Sequence, residues 1–306
     1  MTACVAAVAL FYYFGAGLPD YKQLANYEPP VVTRLYANDG RLFAEYAYEK
    51  RIYVPIEAIP AHVKQAFISA EDKNFYHHFG IDIPSIIAAG LKNIAAMGTS
   101  RRPIGASTLT QQVAKNFLLA DISHAVSYER KIKEAILSFR IEKAYKKDYI
   151  LELYLNEVYL GGSAHGVAAA ALNYFNKSMA ELTIAEAAFL AALPKAPSRY
   201  HPEKTPELTY NRRNWVLKRM YEDGVITKQQ FEAGKAEKIK LAERDPETLV
   251  KADYFAEEVR RELVQLKGEK SAYQDGYVVR TTLQPRLQKL ATSALQEGLI
   301  AYDRQH

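Results

Sequence analysis

Cysteine is almost absent from this chain of 306 residues. Cys4 is the only one, so an intramolecular disulfide is excluded and a zinc site built on cysteines is disfavoured. The chain also lacks low-complexity tracts and obvious internal repeats. With 49% hydrophobic and 25% charged residues, it has the composition of an ordinary folded protein, with enough apolar material for one large domain or two smaller ones.

A strong excess of one charge is also missing, because the net charge is only +5. This mild basicity suits an anionic membrane surface or an anionic substrate. No basic run has aromatic residues interleaved along it, so nucleic acid is the least favoured partner. The excess is local: residues 99–150 contain ten Lys or Arg and five Asp or Glu.

The first nineteen residues contain no charged side chain. A helix that spans a bilayer needs about 20 apolar residues, and this segment is just long enough. It lacks the positive start of a cleavable signal peptide. We therefore predict the outer part of an N-terminal membrane anchor, with everything after Asp20 outside the cytoplasm, and a buried core helix is the alternative.

The residue patterns divide the rest of the chain into segments. Asp39-Gly40 between the apolar runs 31–36 and 42–46 predicts a β-hairpin. From Pro60 onward the apolar spacing is helical, beginning with a helix over 61–71. We predict a partial anchor at 1–19, a β-ribbon linker at 20–59, a mainly helical domain at 60–240, and a linker with the start of a following domain at 241–306.

Carboxylates for proton transfer are concentrated in the first of two dense polar motifs, residues 71–80. Glu71 is predicted at the C-terminal end of its helix, where the macrodipole is negative, and Asp72 adds a neighbouring charge. Both effects disfavour ionisation of Glu71 and would make it a better base near neutral pH. The alternative is an ordinary exposed carboxylate at a helix end. Phe75 and His78, by themselves, are as well explained by packing.

The second motif, residues 105–116, combines a helix start with hydroxyls, amides and a lysine. Ser107 is predicted to cap the helix and leave its first N–H groups free for an anion. Thr108, Gln111 and Lys115 share one stripe and predict a phosphate-binding surface. The Gly-rich run of a Walker loop is missing.

Arg130, Lys131 and Glu134 form a third cluster at helical spacing. An intrahelical salt bridge on a solvated surface is the simplest explanation. The sequence does not decide whether this cluster faces inward.

The order of these motifs closely resembles the peptidoglycan glycosyltransferase domain (glycosyltransferase family 51) of class A penicillin-binding proteins. The resemblance covers roughly residues 25–290. It rests on Glu-Asp-x-x-Phe-x-x-His-x-Gly at 71–80, Gly-x-Ser-Thr-x-Thr-Gln-Gln-x-x-Lys-Asn at 105–116, Arg-Lys-x-x-Glu at 130–134, Tyr-Leu-Asn at 154–156 and Ala-x-Leu-Pro-x-Ala-Pro-Ser-x-Tyr at 191–200.

The resemblance implies polymerisation of lipid II by inverting β-1,4 glycosyl transfer, with release of undecaprenyl pyrophosphate. Glu71 would be the general base and Glu134 the second catalytic glutamate, placed near the pyrophosphate or its divalent cation, Mg²⁺ or Mn²⁺. No organic cofactor is implied. The implied substrate-binding residues are Asp72, Phe75, His78, Ser107, Thr108, Gln111, Gln112, Lys115, Asn116, Arg130, Lys131, Asn156 and Arg199.

The implied fold is mainly α, with a lysozyme-like lobe beside a smaller membrane-proximal lobe. Residues 86–97, followed by Arg101 and Arg102, fit the second lobe and a loop over the cleft. The implied location is the outer side of a bacterial inner membrane, on a single-pass anchor. The implied partners are lipid II, the growing glycan strand, the bilayer and proteins of cell-wall elongation or division.

The penicillin-reactive half of such proteins needs Ser-x-x-Lys and Lys-Thr-Gly motifs, and this sequence has neither. We therefore expect a chain truncated before the transpeptidase domain, without transpeptidase activity. Two other functions stay open. A muramidase would share the fold and the glutamate but would need no pyrophosphate site, and a non-enzymatic membrane-anchored scaffold would only bind glycan.

Overall fold

The structure is a computed structural model that describes residues 13–15, 17–27, 32–46, 50–96, 105–120, 128–242 and 252–305. The chain divides into two compact units. The first, here called the helical unit, comprises Met1–Tyr27 and Tyr53–Leu241. The second, here called the sheet unit, comprises Glu28–Ile52 and Ala242–His306.

Helices build almost all of the helical unit. They are α1 Ala61–Glu71, α2 Ile83–Ala95, α3 Leu109–Val113, α4 Tyr128–Ala144, α5 Lys147–Glu157, α6 Val167–Phe175, α7 Ile184–Ala192, α8 Pro206–Glu222 and α9 Lys228–Ala236. A π-helical turn, Ala114–Leu118, continues α3. Short 3₁₀ turns lie at Tyr21–Asn26, Ile56–Ala58, Phe75–His77, Met179–Glu181 and Leu193–Lys195, and a two-residue strand lies at Ala164–His165.

Helices α1, α7 and α8 pack against one another and form the centre of this unit. The alanines of α7 are fully buried and allow neighbouring helices to approach closely. Phe67 of α1 and Phe189 of α7 are fully buried too, Phe67 against the ring of Tyr154 and Phe189 against the ring of Tyr174. The predicted helical spacing at the start of α1 is confirmed, since Val63 and Ala66 are buried beside Phe67. This packing brings the end of α1 next to α8.

The start of α3 differs from the sequence prediction. Thr108, not Ser107, is the N-cap: its Oγ1 accepts from the Gln111 backbone N–H at 3.1 Å, and Gln111 Oε1 accepts from the Thr108 N–H at 3.0 Å. This reciprocal pair is a capping box, which satisfies two helix-terminal donors at once. Thr108 also donates to the Gly80 carbonyl oxygen at 2.6 Å, which ties α3 to the first motif.

Gly80, the last residue of the first motif, needs to be glycine for two reasons. Its φ of +86° lies in the left-handed region. A Cβ at this position would come within 2.8 Å of the Ser138 backbone on α4.

The sheet unit contains β1 Thr33–Tyr36, β2 Leu42–Tyr46 and β3 Val278–Arg280, in the order β2-β1-β3. The hairpin of β1 and β2 confirms the prediction from Asp39-Gly40, and β3 pairs with β1 in parallel. Helices α10 Asp253–Lys267, α11 Glu269–Gln274 and α12 Pro285–Gln305 complete the unit. Strands β1 and β2 lie in the predicted segment 20–59 and β3 lies in 241–306. The sequence does not predict their pairing, because pairing between distant strands leaves no local pattern.

Helix α2 exposes most of its apolar side chains. Ile83, Leu91 and Ile94 are each more than 60% exposed, and Ala89 is the buried residue of this helix. Within the described residues, none of the helices has the length and apolar character needed to cross a membrane. Most of the predicted anchor, residues 1–12 and 16, lies outside them, as do residues 97–104 with Arg101 and Arg102.

Candidate active site

A cleft of about 860 Å³ opens in the helical unit. Its walls come from the end of α1, the segment before α3, α3 with its π-helical turn, α4, the segment after α7, and α8. The lining residues are Ala70, Glu71, Gly105, Ser107, Gln111, Gln112, Lys115, Arg130, Lys131, Glu134, Lys195, Arg199, Tyr200, Leu208, Arg212 and Trp215.

Positive charge dominates this cleft. Its lining contains six Lys or Arg side chains and two glutamates. Such a concave, cationic wall raises the local concentration of an anionic substrate and stabilises negative charge that develops within it.

Glu71, the last residue of α1, is one of the two glutamates, and its side chain is only 16% exposed. Gln112 Nε2 donates to Glu71 Oε2 at 2.9 Å, and an Arg212 guanidinium nitrogen lies 4.0 Å from Oε1. Burial raises the pKa of Glu71, whereas Gln112, Arg212 and Lys195 act to lower it. The raised pKa agrees with the sequence prediction, but burial is the main cause and Asp72 is a lesser one.

Arg212 and Lys195 are cleft residues that the sequence analysis missed. The Arg212 guanidinium carbon lies 4.0 Å from the centre of the Trp215 ring, and burial lowers the pKa of Arg212. Burial also lowers the pKa of Lys195, with a further lowering from the Arg212 charge. Leu208, Arg212 and Trp215 share one stripe of α8. Periodicity can predict that they lie on a common face, but not that this face lines the cleft.

Glu134, the second glutamate, is buried on the inner side of α4, with its side chain 1% exposed. Arg130 Nε lies 3.1 Å from Glu134 Oε1, and Lys131 Nζ donates to Oε2. Lys131 also donates to Ser107 Oγ at 3.1 Å. The predicted intrahelical ion pairs are present, but they face inward rather than onto a solvated surface.

Helix α3 contributes side chains to the cleft, not free N–H groups. Gln111, Gln112 and Lys115 line it, whereas Thr108 is 1% exposed and does not. The backbone N–H of Leu109 donates to Asp72 Oδ2 at 3.0 Å. The predicted anion site at this helix start is therefore wrong, because a protein carboxylate and the capping box already satisfy these donors.

Asp72 and His78 form a buried network behind the cleft. His78 Nε2 lies 2.9 Å from Asp72 Oδ2, and the Gly80 N–H donates to His78 Nδ1 at 3.1 Å. Since Nδ1 accepts, the proton of a neutral ring is assigned to Nε2 and points to Asp72. Phe75 is fully buried with the Lys147 ammonium 4.5 Å from its ring centre. These three residues support the cleft and do not line it.

Two further predicted residues also lie away from the cleft lining. Asn156 is buried and fastens the segment before α1, accepting from the Val54 N–H and donating to the Val54 carbonyl oxygen, each at 2.8 Å. Asn116 is half-buried in the π-helical turn. Arg199, by contrast, is exposed at the cleft.

The contacts of Glu134 do not favour its predicted role as a ligand of a divalent cation. Both Glu134 oxygens already face cationic side chains. Within the described ranges there is no group of three or more His, Cys, Asp or Glu side chains that could hold a metal. Glu134 as placed does not fit a metal ligand.

Comparison with known proteins gives consistent results. A family model described as Transglycosylase matches residues 39–221. Penicillin-binding protein 1A of Rickettsia bellii (strain RML369-C) is 50% identical over 305 residues, which are 99% of this chain and 38% of that protein. Penicillin-binding protein 1A of Escherichia coli (strain K12) is 41% identical over 297 residues, covering 97% of this chain and 34% of the relative.

A solved structure is also similar. The crystal structure of penicillin-binding protein 1A from Haemophilus influenzae matches with a TM-score of 0.58 and 30% identity, over 92% of this chain and 31% of that one. The chain thus spans somewhat more than a third of the length of the first curated relatives.

Proposed function

We propose that this chain, which belongs to the transglycosylase family, polymerises lipid II into glycan strands with Glu71 as general base. The observation that carries the proposal is a carboxylate of raised pKa, only 16% exposed, inside a cleft whose charged side chains are mostly cations. Lipid II, a disaccharide-pentapeptide on undecaprenyl pyrophosphate, supplies both the hydroxyl that such a base can activate and the anion that such a cleft attracts.

Glu71 accepts the proton of the acceptor 4-hydroxyl. The freed oxygen attacks the anomeric carbon of the donor from the side opposite its pyrophosphate, and the bond between that carbon and the pyrophosphate oxygen breaks. The products are a β-1,4 bond with inverted configuration, undecaprenyl pyrophosphate and a protonated Glu71. Burial assists this step, because a carboxylate with a raised pKa is a stronger base near neutral pH.

The leaving pyrophosphate gains negative charge as the bond breaks, so it is stabilised by positioned cations. Lys115, Arg130 and Lys131 line the cleft and can supply them. Glu134 holds Arg130 and Lys131 in place, and Ser107 accepts a hydrogen bond from Lys131. Thr108 is left out of this role because its hydroxyl is buried and bonded to Gly80.

A membrane location for the active site suits both the substrate and the surface of α2. Ile83, Ile87 and Leu91 are exposed on this helix, and an amphipathic helix of this kind can lie in a lipid interface. We place the cleft beside the outer face of a bacterial inner membrane, where the lipid tail of the substrate stays in the bilayer. Elongation or division proteins are the expected protein partners.

A muramidase with the same glutamate is the second candidate, but the glycosidic bond that it hydrolyses carries no pyrophosphate, which leaves the cationic lining without a reason. A scaffold that only binds glycan gives no reason for a buried carboxylate of raised pKa.

The test is polymerisation of lipid II by the purified chain in detergent with Mg²⁺, comparing wild type with Glu71→Gln. We expect glycan polymer from wild type and none from a folded Glu71→Gln variant. Equal polymer from both would remove Glu71 as the base. Lipid II binding without polymer from wild type would favour the scaffold, and cleavage of finished glycan would favour the muramidase.

A further inference from the structure

Arg212 is placed in the cleft at an energetic cost. Its side chain is 12% exposed, and its contact with Glu71 is a long one of 4.0 Å. Among the described residues, its buried Nε has no hydrogen-bond partner. A buried guanidinium with so few partners does not stabilise a fold well, because the lost hydration is not fully replaced. Its position therefore calls for a role in the chemistry of the cleft.

Trp215 fixes the guanidinium where it is. The two side chains are one helical turn apart on α8, and the Arg212 guanidinium carbon lies 4.0 Å from the centre of the Trp215 ring. A ring face attracts a cation, and guanidinium stacks on tryptophan better than ammonium does. The stack limits the positions that the Arg212 guanidinium can adopt.

We propose that Arg212, held by Trp215, is a positioning residue that keeps Glu71 ionised and oriented as the base between catalytic cycles. This inference rests on the proposed function, since it assigns to Arg212 an effect on the base of that reaction. Without a nearby cation, the pKa of Glu71 would rise further, so a smaller fraction of this carboxyl would be ionised and able to accept a proton from the substrate.

The groups around Glu71 support the assignment to Arg212. Gln112 on α3 is neutral, Lys195 after α7 acts more weakly than Arg212, and Asp72 on the adjoining turn acts in the opposite direction. Tyr154 on α5 is buried, and burial followed by the charges of Glu71 and Asp72 raises its pKa, so it stays neutral. Arg212 is thus the leading cationic group that lowers the pKa of Glu71.

The direct experiment is a pH titration of the Glu71 carboxyl carbon by ¹³C NMR in the whole detergent-solubilised chain, with Glu71→Gln identifying the signal. Arg212→Met should move the midpoint to higher pH. Arg212→Lys should restore part of the shift, since the charge remains. Lys218→Met is the matched control: it removes a cation of the same helix that is 64% exposed and pairs with Glu222, and it should leave the midpoint unchanged.

Substitutions at Trp215 test the stack separately and keep the inference testable if Arg212→Met does not fold. Trp215→Leu should shift the midpoint in the same direction but less, and Trp215→Phe, which keeps a ring face, should stay near wild type. An unchanged midpoint in folded Arg212→Met would overturn the proposal. If Arg212→Met does not fold, midpoints equal to that of wild type in both Arg212→Lys and Trp215→Leu would overturn it.

The pH dependence of lipid II polymerisation gives the second readout. In Arg212→Met, the acid limb of the rate profile should move to higher pH, and much of the lost rate should return as the pH rises. Two results would mean that Arg212 only binds substrate or stabilises the fold, if the Glu71 midpoint is also unmoved. One is a loss of polymerisation rate that is equal at every pH, and the other is a rise in KM alone. If wild type forms no polymer, the proposed function fails while the NMR titration still decides the role of Arg212.

Discussion

The two glutamates of the cleft have opposite surroundings. Glu71 is bound by a neutral amide at 2.9 Å and a cation no closer than 4.0 Å. Glu134 is more deeply buried and has cations of its own helix at both oxygens, one of them at 3.1 Å. Glu71 has one distant cation, whereas Glu134 has an ion-pair contact at each oxygen.

This difference separates two tasks that the same side chain can perform. A base must accept a proton, so its ionised form must not be stabilised too far. A carboxylate that positions cations needs close contacts with them. Glu71 suits the first task and Glu134 the second.

The largest effect is expected from Glu71→Gln. The exchange keeps the shape of the side chain but removes the base, so the polymerisation rate should fall by about 10²- to 10⁴-fold. Initial rates of lipid II consumption measure this loss, and circular dichroism verifies the fold. A fall of less than about tenfold would show that Glu71 is not the base.

The same variant should gain thermal stability at neutral pH. The folded pKa of Glu71 is raised, so the folded state holds its proton more tightly than the unfolded state does. Stability is therefore lost as the pH rises from the unfolded pKa, about 4.3, through the folded pKa. Glu71→Gln should unfold at a higher temperature than wild type above this window, and the gain should vanish below it. A lower unfolding temperature at neutral pH would contradict the unequal compensation of the two glutamates.

Glu134→Gln should lower stability instead. Arg130 is itself 9% exposed, and removing the carboxylate takes away the ion pair between this buried cation and Glu134. Loss of one member of a buried pair costs about 3–5 kcal/mol. Chemical denaturation measures the difference, and polymerisation should fall as well. A stability equal to that of wild type would mean that the ion pairs do not anchor this part of the cleft.

Asp72→Asn tests the support behind Glu71. The exchange weakens the contacts of Asp72 with His78 and the N–H of Leu109, which join the end of α1 to α3. The cost should be about 1–3 kcal/mol of unfolding free energy. A neutral effect of Asp72→Asn would mean that packing alone holds this region.

Lys131→Met should have the smallest effect on stability, below about 1 kcal/mol, because the side chain is 48% exposed. Binding of inorganic pyrophosphate, measured by calorimetry, should nevertheless weaken several-fold. Lys133→Met is the matched control, since Lys133 pairs with Glu129 on the same helix and does not line the cleft. Equal weakening by both would indicate a diffuse charge effect rather than a site.

The sequence predicts elements that depend on neighbouring residues, and it does not predict contacts between residues that are distant in the chain. Helix α1 and the β1–β2 hairpin follow from apolar spacing and a turn signal. The prediction of Ser107 as the helix cap is wrong by one residue, because Thr108 and Gln111 form the capping box.

Arg212 could not be predicted as a neighbour of Glu71, because their contact joins positions 141 residues apart in the chain. Only the packing of α1 against α8 creates it. Likewise, the inward direction of Glu134 depends on what covers α4, and its spacing to Arg130 and Lys131 fits an exposed helix equally well.

The most direct measurement is the pH profile of lipid II polymerisation for wild type, Glu134→Gln and Glu71→Gln. If Glu71 is the base and Glu134 positions cations, Glu134→Gln should be slow but keep an acid limb like that of wild type. The residual rate of Glu71→Gln should lack that limb. An acid limb that persists in Glu71→Gln and disappears in Glu134→Gln would contradict this division of roles.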